Sequence, residues 1–236
     1  STGSLMSDAL RTSGLVPVSE PFSALGYVYT GAPANASIPP ALLAVAGDNA
    51  IVDWMILELR SAATPAQVLF SKAVLIQRDG DIIDPDGDPY VNCPLSPGNY
   101  RIALRHRNHL AVMSAFNNLL GVDPVAPNSL IDFRIAAGVA FGATPLSQIN
   151  SIWCLWAGDA TGDGTLKYTG ANNDRDLILV AIGGSTPNAV LTNVYDRRDT
   201  NLDGVIKYTG SGNDRDIILT NVGSTTPNTT RTQQLP

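Results

Sequence analysis

The sequence predicts a mainly β protein: an N-terminal antiparallel β-sandwich, then a small duplicated domain in which each copy is a loop leading into a short helix. Three observations predict it. Short stretches rich in Val, Ile, Leu and Tyr recur between clusters of Gly, Pro, Asn and Asp through the first half. No amphipathic helical period competes with them before residue 110. Residues 159–179 return as residues 199–219, at a spacing of 40 and with 13 identities in 21 positions, which marks duplication of one supersecondary unit. A chain of 236 residues can hold two cores of its own. The expected division is an extended N-terminal segment over 1–35, the sandwich over 36–145 and the duplicated domain over 146–236.

In order along the chain, residues 1–50 combine frequent Ser, Pro, Ala and Gly with recurring apolar residues such as Leu10, Val16, Phe22 and Tyr29, unlike a flexible linker. Gly26–Thr30 fits an edge strand, and Ile38-Pro39-Pro40 breaks any regular element. The segment is expected to add a strand to, or pack on, a neighbouring copy. Removing residues 1–30 is then expected to abolish oligomers and leave the fold intact. Strands are predicted at Ile51–Arg60, apolar on both faces, and at Gln67–Gln77. Two more are predicted at Asn99–Arg107, with Arg101, Ala103, Arg105 and Arg107 on one side, and at Leu130–Ala136. A Pro-containing loop is expected over Gly121–Asn128.

The duplicated unit carries the strongest chemical signal. Asp199, Asn201 and Asp203 stand at relative positions 1, 3 and 5, Gly204 at 6, and Val205 offers a carbonyl at 7; Asp159, Thr161, Asp163, Gly164 and Thr165 repeat the pattern. A tight turn aims alternate oxygens inward while the glycine lets the backbone reverse, which suits a hard cation that takes six to eight oxygens. The twelfth position is Gly170 or Gly210, so the closing acid comes later, from Asp174 or Asp176 and from Asp214 or Asp216. These acids open short helices capped by Asn173 and Asn213 and ended by Gly183 and Gly223. The bland alternative is a pair of solvated turns with helix caps. Two Ca2+ sites are expected, since Mg2+ demands a small octahedron and Zn2+ wants His or Cys. Saturation a hundredfold above the dissociation constant stabilises by about 2.7 kcal/mol per site.

Duplicated D-x-(N/T)-x-D-G-x-(L/I) loops with following helices resemble dockerin modules, apart from the insert that starts at Lys167-Tyr168-Thr169-Gly170. A longer signature is similar to the C-terminal regions of large secreted, adhesin-like surface proteins of Bacteroidota. It consists of Leu10-Arg11-Thr12-Ser13-Gly14-Leu15, Asp53-Trp54, Gln77-Arg78-Asp79-Gly80-Asp81, Arg105-His106-Arg107-Asn108-His109-Leu110, Trp156-Ala157-Gly158-Asp159 and the two Asn-Asp-Arg-Asp units. The resemblance implies an extracellular, cell-surface location and calcium ligation, without an activity.

Other features are weaker. Asp79–Asp88 holds five carboxylates that fit a hairpin tip or a third cation site. His106 and His109, at i, i+3 in a strand, project to opposite faces and share a ligand only if the strand bends. Cys93 and Cys154 fit either a bridge or separate apolar fillers. Trp54, Trp153 and Trp156 fit the core better than a sugar platform. The net charge of -6 argues against anionic polymers, nucleic acid among them, and no apolar run approaches the roughly 18 residues of a membrane span. The chain opens at Ser1 without a basic-apolar leader, read as a processed or partial form. No nucleophile elbow, zincin helix, P-loop or C-x-x-C occurs, while a glycosidase-type carboxylate pair needs no motif. The expectation is a non-enzymatic, calcium-stabilised structural or adhesive protein that self-assembles into a filament or surface array. Its partners would be copies of itself, other surface proteins or a glycan. The alternative is a monomeric carbohydrate- or protein-binding module.

Overall fold

A computed structural model describes residues 5–120 and 131–236. The chain is mainly β, with 27 % strand and 13 % helix, and its sheets are antiparallel. A short helix α1 (Ala9–Thr12) and a second, α2 (Pro40–Leu43), precede the strands β1 (Ile51–Ser61), β2 (Val68–Gln77), β3 (Ile82–Ile83), β4 (Gly98–Arg105), β5 (Val112–Met113) and β6 (Asn118–Leu120). These six strands form one sheet in the order β3-β2-β1-β4-β5, with β6 also on β4. Ile38-Pro39-Pro40 does not simply break structure: Pro40 stands at the first position of α2, where its missing N–H costs nothing.

β1 lies at the sheet's centre and is buried from Ile51 to Arg60. That is why its sequence shows no polar face. Trp54 lies opposite Leu75 and Ile56 opposite Ala73; Met55, Leu57 and Leu59 face the other way with Phe70 and Val74. The first face is covered by Leu10, Val16, Phe22 and Ile38 of the N-terminal segment, and the Trp54 indole donates to the Pro17 carbonyl at 2.8 Å. The second layer is therefore a folded-back segment, where two packed sheets were expected.

Where the expectation gave residues 1–30 to a neighbouring copy, residues 5–30 pack on the chain's own sheet. An apolar sheet face holding Trp54, Ile56 and Leu75 must be covered, and the adjacent N-terminal chain does so in cis. Gly26–Thr30 does not form a strand. It docks beside β2 through one reciprocal contact, with Ser71 N–H donating to the Thr30 carbonyl and Thr30 N–H to the Ser71 hydroxyl, each at 2.8 Å. Phe22→Ala is expected to cost about 3–5 kcal/mol, and deletion of residues 5–30 to abolish cooperative unfolding by circular dichroism. A deletion variant that melts like the parent would remove the covering role.

Of the Leu130–Ala136 strand, Leu130 lies outside the described residues, as do Gly121–Asn128. Residues 131–136 form no strand: the Asp132 carboxylate accepts the Arg134 N–H at 2.8 Å and pairs with the Arg134 guanidinium, making a turn. A 3₁₀ turn at Ala137–Val139 leads to the hairpin β7 (Ser147–Ile149) and β8 (Ile152–Cys154). Cys93 and Cys154 are free thiols, both partly buried, and burial pushes the Cys93 thiol up to about 11.

The duplicated half contains β9 (Thr165–Lys167), α3 (Asp174–Ala181), β10 (Val190–Thr192), β11 (Val205–Lys207), α4 (Asp214–Val222) and β12 (Thr230–Thr232). Its pairing is crossed. β9 of the first copy pairs with β12, beyond the second helix, and β11 of the second pairs with β10, beyond the first. The Thr-Pro-Asn echoes take part, because the Thr169 hydroxyl donates to Asn228 Oδ1 at 2.7 Å and that of Thr209 to Asn188 Oδ1 at 2.9 Å. Leu166, Ile178, Ile206 and Ile218 close a shared core that also takes in Leu110 of the preceding half. Among the described residues no helix is long and apolar enough to cross a membrane.

Candidate metal centre

Each loop is organised around its first aspartate. Asp159 Oδ1 accepts the N–H of Gly162 at 2.7 Å and Oδ2 that of Gly164 at 3.0 Å; Asp199 accepts from Asp203 at 3.1 Å and Gly204 at 2.9 Å. The glycine at position six is required twice over at Gly204. Its φ of +81° disfavours a side chain, and a Cβ there would collide with Leu15 of the N-terminal segment. Thr165 and Val205 open β9 and β11, and their N–H groups donate to Asp163 Oδ1 at 2.8 Å and Asp203 Oδ1 at 2.9 Å.

Helix phase decides which acid turns inward. Asp174 and Asp176 are two residues apart, about 200° around a helix. Asp174 is fully buried; its Oδ1 accepts from the Thr161 N–H and hydroxyl, both at 3.0 Å, and its Oδ2 from the Lys167 N–H at 2.8 Å. Asp214 repeats this with Thr200 at 2.7 Å and Lys207 at 2.8 Å. Asp176 and Asp216 point outward, about half exposed. Each pairs with the preceding arginine and accepts from the N-cap Asn173 or Asn213 Nδ2 at 2.8 Å, while its own N–H donates back to the cap. Asp176 and Asp216 thus serve the helix caps, while Asp174 and Asp214 are the acids bonded to the loop backbone.

Thr161 bridges the first loop, its hydroxyl 3.1 Å from Asp159 Oδ1 and 3.0 Å from Asp174 Oδ1. Asn201 instead bonds within its loop, its Oδ1 accepting from the Asp203 N–H and its Nδ2 donating to the Asp203 carboxylate and the Gly212 carbonyl.

Burial dominates the electrostatics of the four inner acids, and Asp199 alone of them is pulled back toward the ordinary range by a guanidinium, that of Arg107. Asp159, Asp174, Asp199 and Asp214 are at most 5 % exposed, and none forms an ion pair among the described residues. Burial first, and then the neighbouring Asp199 carboxylate, push Asp214 up to about 7 against the pull of backbone N–H groups. Asp174 is pushed up to about 6 by burial and by Asp159, Asp199 to about 6 by burial and by Asp203, and Asp159 in the same direction. A dication, if held here, would supply the missing counter-charge. Among the described residues no three His, Cys, Asp or Glu side chains converge as a metal cluster. An ion here must therefore draw on neutral oxygens too, from Thr161 or Asn201 and the carbonyls of Thr165 or Val205. That donor set, all oxygen and mostly carboxylate, fits Ca2+.

One residue that the sequence analysis gave no role of its own, Asn108, ties both loops to the sheet. The Asn108 carbonyl accepts from Gly158 at 2.9 Å and Asp159 at 3.0 Å, and its Nδ2 donates to the carbonyls of Arg197 at 3.0 Å and Asp199 at 2.7 Å. Around it, β4 ends at Arg105, so the chain bends and the two imidazoles meet, Nδ1 to Nδ1, at 2.8 Å. Arg107 and His106 both reach Asp53 Oδ2 at 3.1 Å, and the Tyr195 hydroxyl donates to Asp53 Oδ1 at 2.6 Å. Burial alone would raise Asp53, but Arg107 and His106 outweigh it and hold the carboxylate well below its usual range. The run of polar residues directly after an alternating strand was the only local hint of this junction.

The Asp79–Asp88 acids form turns. Asp79, Asp86 and Asp88 accept backbone N–H groups two residues on, and buried Asp84 pairs with Lys72 at 2.6 Å. Trp54 is core, and Trp156 lies under the Arg231 guanidinium, so neither offers a sugar platform. Comparison with protein-family models, with curated proteins and with solved structures gives no match.

Proposed function

We propose that the chain is a non-enzymatic, calcium-stabilised structural or adhesive module of an extracellular surface protein, with two Ca2+ ions holding a dockerin-like C-terminal pair of loops. The carrying observation is the set of four buried loop carboxylates, two in each copy, that form no ion pair among the described residues. In this reading Asp159, Thr161, the Thr165 carbonyl and Asp174 hold one ion, and Asp163 moves in to complete the set as the ion binds. Asp199, Asn201, the Val205 carbonyl and Asp214 hold the other, with Asp203 moving in likewise. The ions supply charge compensation, and the residues fix the loops to α3, α4 and Asn108. The N-terminal half reads as a sandwich-like two-layer unit that carries the duplicated domain.

The location follows the resemblance to Bacteroidota surface proteins. Self-assembly into a filament or array is retained in the proposal, with the exposed Phe116 and Ile135 as apolar surface in support and not the N-terminal segment.

Isothermal titration of the chelated, desalted protein tests the core of this reading. Two equivalents of Ca2+ are expected. Because the loop acids titrate near 6 to 7 without metal, protons compete: affinity is highest at pH 8 and falls as the pH is lowered to 6, with proton release seen as a dependence on buffer ionisation heat. No heat at pH 8, or a pH-independent affinity, refutes it. Electron microscopy of the calcium-loaded and chelated material tests assembly, for which calcium-dependent polymers are expected.

A further inference from the structure

The chain is acidic overall, yet one cleft gathers guanidinium groups without a full set of partners. It has a volume of about 270 Å³ and opens where the N-terminal segment, the end of β4 and the first loop meet. That is below the ~300–1,000 Å³ of drug-sized pockets, so it takes a unit of about one ring.

The charge count there favours an anion. Glu58 alone serves two guanidiniums, Arg60 at 2.7 Å and Arg105 at 2.5 Å, and Arg105 uses only its Nε for that pair. Arg197 has no carboxylate partner among the described residues; its Nη1 donates to the Thr161 carbonyl at 2.8 Å and its buried Nε is unpaired. Arg107, 4 % exposed and on the same wall, leaves Nη2 unpaired. Asp159 and Asp163 border the cleft, and the ion proposed above takes up their charge.

An acceptor stands beside these donors. His106 donates Nε2–H to Asp53, so its Nδ1 is a lone pair that accepts from His109 Nδ1–H. The proton of His109 is thereby fixed on Nδ1, which also faces Asn108 Oδ1 at 2.8 Å, and its Nε2 carries a free lone pair on the cleft wall. Asn108 Nδ2 is spent on two carbonyls, so Asn108 Oδ1 demands that Nδ1–H, and burial keeps the imidazole neutral. Tyr27 gives the cleft an aromatic side, its ring fixed by the hydroxyl's 2.8 Å bond to Glu58.

We propose that this cleft binds a carboxylated monosaccharide unit of the uronic-acid type, with Arg105 and Arg197 on the carboxylate and His109 Nε2 accepting from a ring hydroxyl. Paired guanidiniums match a planar carboxylate. An acidic protein side chain has no hydroxyls to use the fixed lone pair, so the donor-plus-acceptor wall favours a sugar. The inference deepens the adhesive reading above and rests on it for the extracellular setting and for the calcium charge that offsets Asp159 and Asp163.

The test titrates glucuronate, glucose, acetate and an Asp-rich peptide into the calcium-loaded full chain, followed by NMR shifts and calorimetry. Glucuronate is expected to bind at least about tenfold more tightly than glucose or acetate, and Arg105→Gln and Arg197→Gln each to weaken it by about tenfold. The Ca2+ stoichiometry of Arg105→Gln should stay at that of the parent. Equal binding of acetate, tighter binding of the peptide, no binding of glucuronate, or indifference to Arg105→Gln each overturns the site. Glucuronate binding with no calcium heat would instead sink the metal reading and leave the cleft.

Discussion

Stripping divalent ions at pH 8 is expected to lower the thermal midpoint by about 10–20 °C. Each site saturated a hundredfold contributes about 2.7 kcal/mol, and a chain of this length moves by about 2–4 °C per kcal/mol. The sign with pH is distinctive. The inner acids have folded-state values raised above the ordinary 3.8, so in metal-free protein their contribution is present at low pH and lost as the pH rises through about 6 to 7. Chelated protein therefore loses stability between about pH 4 and 7, and the gap between calcium-loaded and chelated melting curves widens over that window. His109, held well below its usual value, works oppositely, costing stability as the pH falls, but it acts on both samples and cancels in the gap.

Substitutions sharpen this result. Asp214→Asn removes one of the two calorimetric equivalents and raises the midpoint in chelator, because it deletes a buried charge that nothing compensates. Asp216→Asn keeps both equivalents, since that carboxylate faces Arg215 and Asn213. If Asp216→Asn and not Asp214→Asn lost an equivalent, the assignment of the closing acid would be reversed.

Asp53→Ala is expected to cost about 3–5 kcal/mol, measured by urea unfolding, a large part of a typical domain's 5–15 kcal/mol. Asp53 is fully buried in β1 and is the one carboxylate paired with Arg107, which is itself buried. Removing it strands a guanidinium whose remaining contacts are the Asp196 carbonyl and the Tyr195 ring, at 4.3 Å from its centroid. It also frees the His106 Nε2–H and the Tyr195 hydroxyl. Tyr195→Phe, which removes one hydrogen bond and leaves the ion pair, should cost only about 1–2 kcal/mol. Because Tyr195 and Leu202 pack on the same core as Trp54, the loss should spread to the second loop and weaken calcium binding there. A cost under about 1 kcal/mol for Asp53→Ala would mean that the junction is not what joins the two halves.

The sequence alone determined what is local. The duplication at a spacing of 40, the Asp-x-x-x-Asp-Gly turns, the Asn caps and the three longest strands are each written within a dozen residues, because covalent geometry and hydrogen-bond reach set those spacings. Tertiary structure decided the rest. Asp174 and Asp176 look alike in the string, and only the packing of α3 against the loop turns one inward. Gly26–Thr30 and residues 131–136 look capable of pairing, but partners distant in the chain leave them a single contact and a turn. The N-terminal segment reads as adhesive, yet burial of its own sheet's apolar face claims it first. Asn108 and the His106–His109 contact depend on a bend beyond β4 that brings residues some ninety positions apart together, and no local pattern encodes a meeting at that range.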